Sequence, residues 1–376
     1  MRLVELGKHV EILSGFAFKS NLFNNQNKGL PVVRIRDVKP AISKTYYSGK
    51  FDDKFLLNNG DLLVGMDGEF NCTRWQGGRA LLNQRVCRIS VKTNHLNEKY
   101  LFYFLPKALK LIEDKSNFVT VKHLSVKQIK EIEIPLPPIE EQQRIAAILD
   151  KADAVRRKRK QAIALTEDLL RSAFLDMFGN PVTNPKGWER KSLGSLCKIV
   201  RGGSPRPIND YLGGTVPWIK IGDATEGDEI YIHKTAEAIQ PEGVKKSRYL
   251  EPGSLVFANC GVSLGFARIL KIGGCIHDGW LAFSDLDKSL DQIFLLKLLN
   301  SITEYFRAIA PDGTQPNLNT TIMKNFEIIV PPLMLQKKFA SISHHLTESL
   351  QEYSNMFNES DNLFNSLLQR AFRGEL

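Results

Sequence analysis

A proline stop followed by a long helix-forming run occurs twice in this chain, and that recurrence constrains the fold more than any other feature. The first copy is "PPIEEQQRIAAILDKAD" at 137–153; the second is "PPLMLQKKFASISHHLT" from Pro331, 194 residues later. Proline excludes the residue before it from a helix but is tolerated at a helix start, so each pair ends one element and permits the next. In the first copy Glu140 and Glu141 place acids in the first turn, where the helix dipole favours them. When 137–178 is laid over 331–372 without a gap, Pro137, Pro138, Gln142, Ala146, Ile148, Leu169, Ser172 and Phe178 fall on identical residues.

The hydrophobic spacing is stronger than the identities. Stepping by three and four from Ile145 gives Ile148, Ala152, Val155, Arg159, Ala162, Thr166, Leu169 and Ala173. The same positions of the second copy are Phe339, Ile342, Leu346, Ser349, Tyr353, Met356, Ser360, Leu363 and Leu367. That is the period of coiled-coil a and d positions. Two helices of about forty residues, each roughly 60 Å long at the α-helical rise, are therefore expected to pack on each other along this seam. In "RRKRK" (156–160), Arg159 is expected on the seam and the other four on a solvated face.

The intervening segments repeat more loosely. "VELGKHVEILSG" (4–15) matches "KSLGSLCKIVRG" (191–202), "LPVVRIRDV" (30–38) matches "VPWIKIGDA" (216–224), and "NGDLLVGMDG" (59–68) matches "PGSLVFANCG" (252–261). "VKHLSVKQIKEIEIPLPP" (121–138) matches "PNLNTTIMKNFEIIVPP" (316–332). These read as short strands bounded by Gly, Asp and Asn turns. The expected class is α+β: two pseudo-repeated mixed α/β domains joined by two long helices. The expected boundaries are 1–136 for the first domain, 137–180 for the first helix, 181–330 for the second domain and 331–376 for the second helix. "FGNPVTNPKGW" (178–188) is a turn-rich linker.

Net charge is +10, which suits a polyanionic partner. No apolar run is long enough to span a membrane, and the start of the chain lacks the apolar stretch of a secretion signal. Five scattered cysteines read as reduced thiols, so the expected location is the cytoplasm. Cys275 and His277 lack a second ligand pair, and no metal site is expected. There is no phosphate-binding G-x-x-x-x-G-K-[ST], no G-x-S-x-G and no H-E-x-x-H. "LPPI" (136–139) lacks the polar first and aromatic last residues of an adenine-methyltransferase tetrapeptide. No catalytic residue is expected.

Base edges are read by forked or planar polar groups, and phosphates by cations. "GMDGEFNCTRWQGG" (65–78) offers Asp67, Glu69, Asn71, Arg74 and Trp75, although a hairpin anchored by its Trp is the plainer alternative. "GFAFKSNLF" offers Lys19, Ser20 and Asn21. In the second domain "VRGGSPRP" offers Arg201, Ser204 and Arg206, and "NCGVSLGFAR" offers Asn259, Ser263 and Arg268. "DGTQPNLN" adds Gln315 and Asn317. "LLNQRV" (81–86) carries Asn83, Gln84 and Arg85, for which a buried structural role weighs equally. Because the two domains differ at nearly all these loops, their half-targets should differ and the whole target should be asymmetric.

The chain resembles the specificity subunit of Type I restriction-modification systems. "IPLPPIEEQQRIAAILDKAD" (134–153), its partner "IIVPPLMLQKKFASI" (328–342), the "VELG…SGFAF" opening and the terminal "AFRGEL" carry the resemblance over essentially the whole chain. The second copy departs from the pattern at Met334 and Leu335, which replace the two acids. The resemblance implies a non-catalytic DNA-reading subunit with two target recognition domains, one per half of a split target. It implies an antiparallel pairing of the helices that holds the halves at a fixed separation. It further implies double-stranded DNA, two modification subunits and ATP-dependent restriction subunits as partners. S-adenosylmethionine, ATP and Mg would be used by those partners, with no cofactor on this chain. A specificity subunit of another kind of modification system, or a self-sufficient DNA-modifying enzyme, are the alternatives.

Overall fold

The computed structural model describes residues 2–115, 122–225, 230–261, 263–310 and 317–376. By the density of its internal contacts the chain divides into two compact units, 1–158 with 357–376, and 159–356. The division cuts both long helices, Ile139–Phe178 and Leu333–Arg373. Each unit thus contains the start of one helix, the end of the other, and a β-rich body.

The first body contains β1 (Leu3–Glu5), β2 (Val10–Ser14), β3 (Phe23–Asn24), β4 (Leu30–Val33), β5 (Tyr46–Tyr47), β6 (Leu56–Leu57), β7 (Leu62–Gly65), β8 (Cys72–Arg74), β9 (Ala80–Leu82), β10 (Val86–Val91) and β11 (Glu133–Pro135). The second contains β12 (Arg190–Ser192), β13 (Lys198–Arg201), β14 (Leu212–Ile219), β15 (Tyr231–Ile232), β16 (Glu237–Ile239), β17 (Arg248–Leu250), β18 (Leu255–Ala258), β19 (Ala267–Leu270), β20 (Gly274–Ile276), β21 (Trp280–Ser284) and β22 (Glu327–Ile329).

Topology makes the repeat explicit. One sheet runs β2-β10-β7-β8 in the first unit and β13-β21-β18-β19-β15 in the second. The other runs β3-β5-β4-β9-β6 and β16-β14-β20-β17. In each second sheet the central pair is parallel: Val33 lies opposite Leu82, and Ile219 opposite Ile276. A parallel pair needs a long crossover, so this shared feature is not a by-product of local hairpins. β1 pairs with β11 and β12 with β22, closing each body at the start of a long helix.

The offset of 194 also fixes a buried polar lock in each unit. The side-chain oxygen of Gln142 accepts from the Asn97 backbone N–H at 2.8 Å, and its amide donates to the carbonyls of His95 and Pro137, both at 2.8 Å. Gln336 does the same with Asp291 N–H (2.9 Å) and the carbonyls of Ser289 (2.9 Å) and Pro331 (2.7 Å). Asn97 and Asp291 in turn cap the helices Glu98–Lys115 and Gln292–Ser301 by accepting from the N–H groups two and three residues on. Both glutamines are fully buried. Their hydrogen bonds replace those to water, as burial of an amide requires.

The helix halves run antiparallel within each unit. In the first, Arg144 donates to the carbonyl of Leu376 at 2.7 Å, and Arg156 pairs with Asp361 at 3.0 Å. In the second, Arg159 donates to the Met356 carbonyl, while Phe174 and Phe178 pack on Phe339 with ring centroids 5.3 and 5.4 Å apart. Phe178 also meets Phe294 at 4.7 Å, and the offset-equivalent pair Phe372–Tyr100 stands at 5.1 Å.

The expected seam holds at Ile145 and Phe339, which are buried, and at Ile148, Ala152, Ile342, Leu346 and Met356, which are half-buried. It fails at Val155, Leu169 and Leu363, which are 45, 55 and 57% exposed. The buried positions there are Leu170 and Phe364, with Arg156 half-buried beside Val155. A 3.5-residue repeat drifts by about 20° per heptad on a straight helix. By Leu169 and Leu363, 24 residues beyond Ile145 and Phe339, that amounts to about 70°, most of the one-residue slip seen there. Arg156 is not on the solvated face expected for "RRKRK": it lies over the Phe364 ring at 4.3 Å, with Asp153 at 2.7 Å.

Candidate nucleic-acid interface

Strand order brings several loops of each unit to one end of its sheets. In the first unit these are the segment after β2 (15–21), the turn after β4 (34–39), the loop after β7 (66–71), the β9–β10 turn (83–85), and His123, which bridges Asp67. In the second they are 202–207, 220–225, 259–261 with 263–264, 277–279 and Asn317, which bridges Cys260. The two β-turns, and His123 and Asn317, are again 194 apart.

Glycine makes this convergence sterically possible. A Cβ on Gly15 would overlap the carbonyl oxygen of Asn83, and one on Gly202 that of His277. Neither has a positive φ; the requirement is close approach of two backbones. The crossing is pinned by Gly15 N–H to Val86 O (2.9 Å) and Phe16 N–H to Leu82 O (3.0 Å). Its counterparts are Gly202 N–H to Trp280 O (2.9 Å) and Gly203 N–H to Ile276 O (3.1 Å).

Each loop cluster is organised around one carboxylate, taken from a different loop in each unit. In the first, Asp67 accepts from Arg85 through one oxygen and contacts His123 Nδ1 through the other at 2.6 Å. Burial pushes its carboxyl up, but the bonds from His123 and Arg85 outweigh burial and hold it below the ordinary carboxylate value. Arg85 has φ +68°, rare for a residue with a side chain, and the Asp67 pair accompanies that conformation. Lys39 reaches Glu69 at 3.1 Å, and the Asn71 amide donates to the Glu69 carbonyl at 3.3 Å. Lys19, Ser20 and Asn21 lie exposed at one short turn.

In the second unit Asp278 occupies the middle of the 277–279 turn. Its Oδ1 accepts from the Ser204 hydroxyl at 2.7 Å and lies 3.0 Å from His277 Nε2, while Arg206 stands 3.5 Å from Oδ2. Its backbone carbonyl accepts from Arg201 Nε at 2.8 Å. Burial pushes the Asp278 carboxyl up, and the Ser204 bond with the nearby cations brings it below the ordinary value. His277 accepts from the Gly279 N–H at Nδ1 (2.9 Å), so its proton resides on Nε2, facing Asp278. Burial pushes the imidazole down despite that carboxylate.

Several expected contacts prove to be structural. Trp75 is fully buried, its indole N–H donating to Gly78 O at 2.6 Å; it is a core residue of the first body. Arg74 belongs to β8 opposite Leu62, at the end of the sheet away from Asp67, and stacks on Phe102 at 5.2 Å with Glu98 at 3.8 Å. The run 65–78 is thus not one loop: β8 spans Cys72–Arg74 and holds Arg74 half-buried, and Trp75 directly after it is fully buried. Asn259 is fully buried and donates to the Asn317 side chain at 3.1 Å. Arg268 lies on β19 over the Phe266 ring at 4.8 Å. Ser263 is half-buried in the loop after β18, and Gln315 lies outside the described residues.

Lys39, His123, His277 and Asp278 were missed as candidates. The repeat could have found three of them, since His277 and Asp278 stand 194 residues after Asn83 and Gln84, and His123 stands 194 residues before Asn317. Among the described residues no group of three or more His, Cys, Asp or Glu is arranged to hold a metal, and no helix is long and apolar enough to cross a membrane.

The profile of the family described as "Type I restriction modification DNA specificity domain" matches residues 1–165 and again 185–355. The EcoBI Type I restriction enzyme specificity subunit of Escherichia coli is 29% identical over 408 residues, covering 99% of this chain and 85% of that protein. The MjaIX specificity subunit of Methanocaldococcus jannaschii is 26% identical over 317 residues, covering 78 and 72%. Among solved structures, the S subunit of the Type I restriction-modification system from M. genitalium superposes with TM-score 0.63 at 17% identity, covering 99% of this chain and 96% of that one. A chain of a type I R-M assembly superposes with TM-score 0.55 at 20% identity, covering 100 and 98%. With two matched domains, one per repeat, this chain belongs to the Type I restriction-modification DNA specificity family and is a DNA sequence-recognition subunit.

Proposed function

We propose that this subunit reads a bipartite, asymmetric target in double-stranded DNA, one half per unit, and carries no catalysis of its own. The observation that supports this most is the pairing of a shared sheet core, differing by one edge strand in each sheet, with unlike loops: equivalent strand ends present Asp67, Arg85 and His123 in one unit and Asp278, Ser204 and Arg206 in the other. A shared frame preserves how each unit meets the duplex, whereas different side chains read different bases. Contacts are assigned to Lys19, Ser20, Asn21, Glu69 and Asn71, with Lys39, Arg85 and His123, in the first unit. In the second they are assigned to Arg201, Ser204, Arg206, Ser263 and Asn317.

The chemistry comes from partners in this reading. Two modification subunits bring S-adenosylmethionine and methylate adenine, and restriction subunits use ATP and Mg, in the cytoplasm of a bacterium or archaeon. The long helices act as the spacer between half-targets, because each passes from one unit into the other. Inserting four residues after Gln161 lengthens a helix by about 6 Å, close to two base-pair steps. Sequencing of methylated adenines should then show unchanged half-targets with a longer gap. An unchanged gap would mean that the helices do not set the spacing.

A further inference from the structure

We propose that Asp278 is a specificity-determining residue of the second unit, accepting a hydrogen bond from the exocyclic amino group of a cytosine or adenine in the major groove. This rests on the reading of that unit as a DNA reader. A carboxylate amid Arg201 and Arg206 repels phosphate, so its place on a DNA-facing surface calls for a donor on the nucleic acid. In the major groove those donors are cytosine N4 and adenine N6.

The geometry separates Asp278 from a mere brace. Oδ1 is engaged by Ser204 and His277, which fix the rotamer, while the nearest contact of Oδ2 is Arg206 at 3.5 Å. A carboxylate oxygen has two lone-pair sites, so Oδ2 keeps accepting capacity. Its side chain is 31% exposed. Asp67 in the first unit is only 10% exposed, each oxygen bonded to one of Arg85 and His123, so its burial leaves it to hold those two side chains.

The repeat gives independent support. The residue 194 positions before Asp278 is Gln84, exposed in the middle of the equivalent turn. Glutamine is the forked partner of adenine. The same turn position therefore presents a residue fit for a base edge in both units, Gln84 in one and Asp278 in the other. The low carboxyl pKa of Asp278 keeps it an acceptor at neutral pH.

The test uses the complete subunit assembled with its modification subunits. Asp278→Asn, Asp278→Ala, Arg201→Ala and Arg206→Ala are compared by methylated-adenine sequencing and by competition with nonspecific duplex. Both Asp278 variants should leave the first half-target intact; Asp278→Ala should relax one cytosine or adenine of the second with ~10-fold loss of discrimination there, and Asp278→Asn, whose amide oxygen still accepts, should shift that position toward adenine. Nonspecific duplex should bind ~3-fold more tightly, as expected when one charge several ångströms from a phosphate is removed in water. If both Asp278 variants keep the second half-target and the nonspecific affinity while Arg201→Ala weakens DNA binding, the role of Asp278 is overturned. If neither arginine variant changes binding or the second half-target, the DNA reading of this unit itself fails.

Discussion

Gln142→Leu is expected to destabilise the first unit by ~3 kcal/mol or more. The substitution strands one N–H and two carbonyls in a dry site, and an orphaned buried polar group costs about 1–3 kcal/mol. Leucine is close in size, so packing loss is not the main term. The exposed neighbour supplies the control: Gln143→Leu should change stability by less than about 0.5 kcal/mol. Urea denaturation measures the difference, and hydrogen exchange should quicken at the start of the helix Glu98–Lys115, whose cap residue Asn97 is held by Gln142. Gln336→Leu should do the same in the second unit at the start of Gln292–Ser301. Equal effects from Gln142 and Gln143 would refute the lock.

Gly202→Ala is the second change with a large expected effect, because there the neighbour that must yield is backbone. The new Cβ meets the His277 carbonyl, and the loop cannot retreat without losing its bonds to Trp280 and Ile276. We expect a loss on the order of 2–4 kcal/mol, together with loss of the second half-target, since Ser204 and Asp278 are held by that crossing. Gly15→Ala should act likewise on the first half-target. Gly222→Ala, at a position with no neighbour within 4 Å and no positive φ, should be tolerated. Thermal melts of the three variants check the order; a harmless Gly202→Ala would show that the loop crossing is not obligatory.

The repeat was legible because helix stops and strand runs are local, and a constant offset preserves them over long distances. The site was less legible for a spatial reason. Asp67 gains meaning from Arg85 and His123, and Asp278 from Ser204, far apart in the chain and brought together only by sheet pairing. Arg74 and Trp75 misled because glycines at 65, 68, 77 and 78 made one loop of a segment that contains β8. The helix seam went astray at Leu169 and Leu363 for a quantitative reason: a 3.5-residue template was carried along helices whose buried face advances nearer to 3.6. Gln142 and Gln336 were visible as one of the repeat's identities, yet their function was not, because Asn97 and Asp291 lie forty-five residues upstream of them.

One unit for each half of the target is the central claim, and the most direct measurement is a map of methylated adenines made by complexes carrying paired variants. Lys19→Ala with Asn21→Ala in the first unit should alter one half-target alone, and Arg201→Ala with Arg206→Ala in the second should alter the other alone, with the gap unchanged in both. A single uninterrupted target, or variants of either unit that alter both halves together, would contradict it.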